Sequence, residues 1–174
     1  MSPRGRGDVR GVSPLTEQSD SARLRQVFGA FPSGVIAIAA CVDGLPLGIS
    51  VSSYTSVSLE PPLVSVCIAH SSETWPLIRE ARRLGVSMLA DDQQQACRQL
   101  SSRGRDRFAG LTWRATPDGA VFLDGAIAWL DCSIEATHVA GDHDIVVMRV
   151  HELDADHAIR PLVFHTSKFW RLVP

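Results

Sequence analysis

Two-residue turn signals set between apolar runs constrain this chain more than any other feature. Asp43-Gly44 separates GVIAIAACV (34–42) from LPLGISV (45–51), and Gly141-Asp142 separates AIAWLDCSIEATHV (126–139) from DIVVMRVHELDAD (144–156). Such a pair between strand-like runs is a short-range hairpin signal. Strands joined by tight turns must pair antiparallel, because parallel neighbours need a crossover of a dozen or more residues. LVSVCIA (63–69), LGVSMLA (84–90) and PLVFHTSKFWRL (161–172) add further strand-like runs. Three short helices are expected: ARLRQVFGAF (22–31), capped by Asp20 or Ser21 and stopped at Pro32; ETWPLIREARR (73–83), capped by Ser71 or Ser72; and a third from about Asp92 through Arg103. The reading is a mainly β chain (α+β), an antiparallel barrel with a few peripheral helices.

At 174 residues the chain suits one domain, taken here as 21–174 behind a Gly-, Ser-, Pro- and Arg-rich tail at 1–20. No apolar run approaches the ~18 residues of a membrane span, and the first residues lack the apolar core of a signal peptide. A cytoplasmic protein is the expectation. The net charge of −2 gives no reason to expect a nucleic-acid partner, and Lys168 is the only lysine. Any bound anion must then be met by arginine, backbone N–H groups or hydroxyls. The four cysteines (Cys41, Cys67, Cys97 and Cys132) form no C-x-x-C and read as free thiols.

Several familiar sites are excluded. GRGDVRG (5–11) has the wrong spacing for a dinucleotide fingerprint, and neither a Walker loop nor a G-x-S-x-G elbow is present. His138 with His143, and His151 with His157, do not make H-E-x-x-H. His143 follows Gly141 and Asp142 in a turn, where closing the turn and touching a ligand are both open roles.

The segment SVSSYTSVSLEPP (50–62) is the exception to ordinary strand patterning. It reads as the continuation of the 45–51 strand, bent or bulged at Gly48 and ended by Pro61-Pro62. Ser50, Ser52, Ser53, Tyr54, Thr55 and Ser56 carry hydroxyls on both strand parities, between core-like runs. Buried hydroxyls need partners, and a bound polar ligand would supply them.

GISVSSYTSVSLEPPLVSVCIAHSSETWPLI (48–78), DRFAG (106–110), LDGAIAWLDCSIE (123–135) and GDH (141–143) together resemble the short-chain flavin reductase family over roughly residues 22–172. The resemblance implies a split β-barrel that forms a homodimer and passes electrons from NADH or NADPH to FAD or FMN. It also implies that reduced flavin goes to the monooxygenase of a two-component system. Carried over, Ser50, Val51, Ser52 and Ser53 contact the flavin, with Ser56 towards the phosphate. Ala69, His70, Ser71 and Ser72 meet the ribityl and phosphate groups, helped by helix N-terminal amides, and Arg79, Arg105 and Arg107 are candidate phosphate partners. Phe108, Phe169 and Trp170 wall the flavin, and His143 belongs to the nicotinamide pocket. Two alternatives stay open: a pyridoxamine-phosphate-oxidase-like protein with tightly bound FMN, and a non-catalytic flavin- or haem-binding module.

Overall fold

The computed structural model describes residues 21–103 and 106–172. The tail expectation for 1–20, a cap at Asp20, and Arg105 lie outside the described residues.

In chain order the elements are α1 (Ser21–Phe28), β1 (Ser33–Gly34), β2 (Ile36–Val42), β3 (Leu45–Val51), β4 (Thr55–Leu59), β5 (Pro62–Ala69), α2 (Trp75–Ile78), β6 (Leu84–Met88), α3 (Gln94–Ser101), β7 (Trp113–Ala115), β8 (Val121–Leu123), β9 (Ala128–Ala140), β10 (His143–Ala155), β11 (Leu162–His165) and β12 (Lys168–Arg171). The main sheet has seven strands in the order β3-β2-β6-β9-β10-β5-β4, every pairing antiparallel. The expected hairpins are present. Asp43 and Gly44 both take positive φ between β2 and β3, and Gly141 does so between β9 and β10, the backbone that tight hairpin turns require.

β2 shows why its sequence is apolar throughout. Ile36, Ile38 and Ala40 enter one core cluster with Val66, Val86 and Val146. Val35, Ala37 and Ala39 enter the other with Leu89, Leu100 and Phe108. A strand buried on both faces cannot alternate polar and apolar residues. Gly48 lets β3 lie close against β2: a Cβ there would lie 2.8 Å from the Ile38 carbonyl and 2.9 Å from the Ala39 Cβ.

One expectation is corrected here. Residues 45–58 do not form a single strand bent at Gly48. Gly48 pairs regularly with Ala39, and the chain breaks instead at Ser52–Tyr54, so that β3 and β4 stand at opposite edges of the sheet. A flat seven-stranded sheet would hold its edges roughly 29 Å apart at ~4.8 Å per strand. The connection from Val51 to Thr55 spans at most roughly 14 Å. The sheet therefore curls until its edges approach, giving a barrel left open along one split.

Ser53 stands at that split. Its hydroxyl accepts from the Cys67 N–H at 2.8 Å and donates to the Cys67 carbonyl at 3.1 Å. These are the β5 groups just beyond the last β4 partner, Thr55 opposite Ser65. One side chain thus replaces a missing ladder rung.

The second helix is shorter than expected. Of its residues Trp75 and Ile78 are buried, and the helix ends at Ile78. The segment after Gly110 contains the β7–β8 hairpin.

Candidate functional site

A cleft of about 470 Å³ opens where β3 ends, β5 ends and α3 ends. The β3 strand and its extension contribute Ser50, Val51, Ser52 and Ser53; the end of β5 contributes Cys67, Ile68, Ala69, Ser71 and Ser72; and His143 enters from the start of β10. The α3 C-terminus and the following loop add Leu100, Ser101, Ser102, Arg103 and Arg107. A second cleft of about 340 Å³ shares Ser50, Val51, Ser52 and Ser101 with the first and is walled by Val35, Phe164 and Phe169. Clefts of ~300–1,000 Å³ with few polar groups on apolar walls are typical small-molecule sites.

The hydroxyls divide into two groups. Ser50 Oγ donates to the Cys97 carbonyl at 3.0 Å and meets Ser101 Oγ, tying β3 to α3. Ser53 is held by Cys67. Among the described residues Ser52 has no such partner and is exposed in the cleft. The fold itself thus partners Ser50 and Ser53 and, among the described residues, leaves the Ser52 hydroxyl available to a ligand.

At the rim, His143 Nδ1 lies 2.7 Å from Asp142 Oδ1. An ionised carboxylate only accepts, so Nδ1–H donates to Asp142 and this contact sets the orientation of the ring. The same contact holds the Asp142 carboxyl below the usual carboxylate range. His70 is drawn elsewhere: its Nε2 lies 3.0 Å from Asp144 Oδ1, and its backbone N–H donates to the Asp142 carbonyl.

Four other expected residues, Ser56, Trp170, Phe108 and Phe169, do not line the main cleft. Ser56 sits exposed in β4 opposite Val64. Trp170 is half exposed and donates from its indole to the His165 carbonyl at 3.3 Å, because strand alternation sends Phe169 inward and Trp170 outward. Phe108 is buried, edge-on to Trp113, and lines a third cleft beyond Arg107. Phe169 walls the second cleft, with the Arg98 guanidinium 5.2 Å above its ring. Of the arginine candidates Arg107 reaches the site, where its Nη1 donates to the carbonyls of Leu100 (3.1 Å) and Gly48 (3.4 Å). Arg79 points away and pairs with Glu80. The four-residue α2 is too short to offer a helix N-terminus to an anion.

Leu100, Ser101, Ser102 and Arg103 went unread in the sequence. The available signal was a second hydroxyl pair, Ser101-Ser102, placed between the last apolar residue of a helix and an arginine.

This donor set fits a flavin. Ile49, Ile68 and Leu100 offer an apolar surface, Ser52 and strand-end backbone offer hydrogen bonds, and Arg103 and Arg107 offer positive charge at one end.

A split antiparallel barrel with a hydroxyl-lined cleft along its opening defines the class: the chain belongs to the flavin reductase-like domain family, whose pattern matches residues 28–172. It is 38% identical over 158 residues to the reductase subunit HsaB of a flavin-dependent monooxygenase from Rhodococcus jostii, covering 91% of this chain and 81% of that one. It is 39% identical over 151 residues to a flavin reductase from Pseudomonas putida, covering 86% and 89%. The solved structure of the Streptomyces globisporus NADH:FAD oxidoreductase SgcE6 with NAD and FAD fragments superposes with a TM-score of 0.85 at 31% identity, over 93% of this chain and 98% of that one.

Proposed function

We propose that this chain is an NAD(P)H:flavin oxidoreductase that reduces FAD or FMN and releases it to a partner monooxygenase. The observation that carries the reading is the cleft itself, in which the exposed Ser52 hydroxyl and two arginines flank an apolar surface along the split of a flavin reductase-like domain. A flavin held there would supply the hydride acceptor for a reduced nicotinamide, chemistry that belongs to the cofactors.

The protein's work is positioning. Ser52 and the β3 backbone hold the polar edge of the flavin, Arg103 and Arg107 neutralise its phosphate, and Ile49, Ile68 and Leu100 keep water from its face. His143, its ring oriented by the Asp142 carboxylate, hydrogen-bonds the nicotinamide carboxamide through Nε2. Hydride transfer needs no proton from the enzyme, so His143 orients the donor. The likeness to a monooxygenase reductase subunit supports the partner. Exposed Val57 and Leu59 on β4, with Val139 and Ile145 on the β9–β10 hairpin, support a homodimer.

The test is NADH oxidation with a large excess of added FAD, FMN or riboflavin over protein. Many equivalents of flavin reduced per chain support a reductase. Reduction that stops at one equivalent makes the chain a carrier of bound flavin and overturns the proposal.

A further inference from the structure

Beyond the main cleft lies the third, of about 270 Å³, which the functional reading does not use. It shares Glu73, Arg103 and Arg107 with the main cleft, so these three side chains border both. Its far walls are apolar: Leu47, Leu77 and Phe108. Leu77 is 56% exposed although its neighbour Ile78 is fully buried. Phe108 lies against β3 only because Gly48 has no Cβ, which would sit 3.1 Å from the ring.

We propose that this cleft binds the ADP half of a dinucleotide, and that FAD, entering by its flavin end through the main cleft, is the dinucleotide it selects. The assignment rests on the flavin-reductase reading. A ligand crossing from one cleft to the other must pass two guanidiniums, and Arg107 is already fixed by the Gly48 and Leu100 carbonyls. That is a setting for a pyrophosphate. Glu73 stands at the same junction. A terminal phosphomonoester carries about −1.5 to −2 charge near neutral pH, so FMN would set that charge beside the carboxylate. A pyrophosphate diester spreads its charge over two phosphates, and its ribose hydroxyls can donate to Glu73. The purine then lies against Leu47 and covers Leu77, whose exposure a shorter flavin leaves unrelieved.

The test is calorimetric titration of flavin-free protein with riboflavin, FMN, FAD and ADP, on the natural chain and on Leu77→Glu and Leu77→Gln. Leu77 is exposed, so both variants should fold, which circular dichroism checks. FAD should bind at least tenfold tighter than FMN, and ADP should compete with FAD but not with riboflavin. Both variants should bring the FAD-to-FMN affinity ratio close to one, with Leu77→Gln showing that lost apolar contact contributes besides charge. Equal affinity for FAD and FMN in the natural chain overturns the assignment. Variants that leave the FAD-to-FMN ratio intact but raise the KM for NADH with FMN as acceptor assign the cleft to the pyridine nucleotide and overturn its selection of FAD. Failure to bind any flavin instead overturns the functional reading on which the assignment stands.

Discussion

Ser52 and Ser53 are adjacent serines with different duties. Ser53 supplies a ladder rung to Cys67, whereas Ser52 faces the cleft without a protein partner among the described residues. Ser52→Ala should weaken flavin binding by ~0.5–1.5 kcal/mol, roughly 2- to 12-fold, and leave thermal stability alone. Ser53→Ala should do the reverse, losing ~1 kcal/mol of stability. Fluorescence-quenching titrations and melting curves on both variants check this; identical behaviour of the two would refute the division. His143→Ala should raise the KM for NADH with a smaller loss in kcat, leaving flavin affinity nearly unchanged. If His143 only closes its turn, the variant loses stability and keeps normal NADH kinetics. The thiols give a pH-dependent test. Burial, with the Asp131 charge, pushes Cys132 up to about 12, and burial also raises Cys97. A raised thiol pKa keeps the unreactive S–H form to higher pH, so at pH 8 both should resist iodoacetamide. Cys67 is exposed in the main cleft and should react first, more slowly when FAD is bound. Alkylation of Cys67 that FAD does not slow would argue against flavin in this cleft.

At the scale of elements, the turns were legible and the long-range pairing was not. Asp43-Gly44 and Gly141-Asp142 announce their hairpins because their backbone needs are local. Nothing local in SVSSYTSVS says that its two halves belong to opposite sheet edges, because register and partner choice are set by remote strands. For the same reason the hydroxyl cluster was visible, yet its division between rung and ligand was not: the Cys67 groups that claim Ser53 come from β5. The α3 end was missed as a site wall because its contact with Ser50 spans a separation of 47 residues. The β11–β12 hairpin offers a prediction of its own. Thr166 and Ser167 both take positive φ in its turn, which costs L-residues roughly 1–2 kcal/mol each. Replacing them with Asn-Gly should raise stability by ~1 kcal/mol, a gain of roughly 2–4 °C in Tm. Because Phe164 and Phe169 flank this turn and wall the second cleft, flavin affinity should hold or improve. A lower Tm would show that those two side chains matter more than their strained backbone.

Across the whole molecule, one curled sheet serves two ends: its interior packs the core, and the split left by incomplete closure provides the cleft. The exposed apolar residues on β4, β9 and β10 lead to the expectation of a particle of twice the 18.9 kDa chain mass at micromolar concentration. Sedimentation equilibrium measures it, and a fully active monomer would contradict it. The placement of the flavin along the split is the centre of the account, and amide hydrogen exchange with and without saturating FAD tests it directly. The account predicts slowed exchange mainly in residues 49–53, 67–73 and 100–103, where β3, β5 and α3 border the cleft, extending to 47–48, 74–77 and 107–108, where the ADP half would lie. Unchanged exchange in these segments, with protection elsewhere on the sheet, would contradict it.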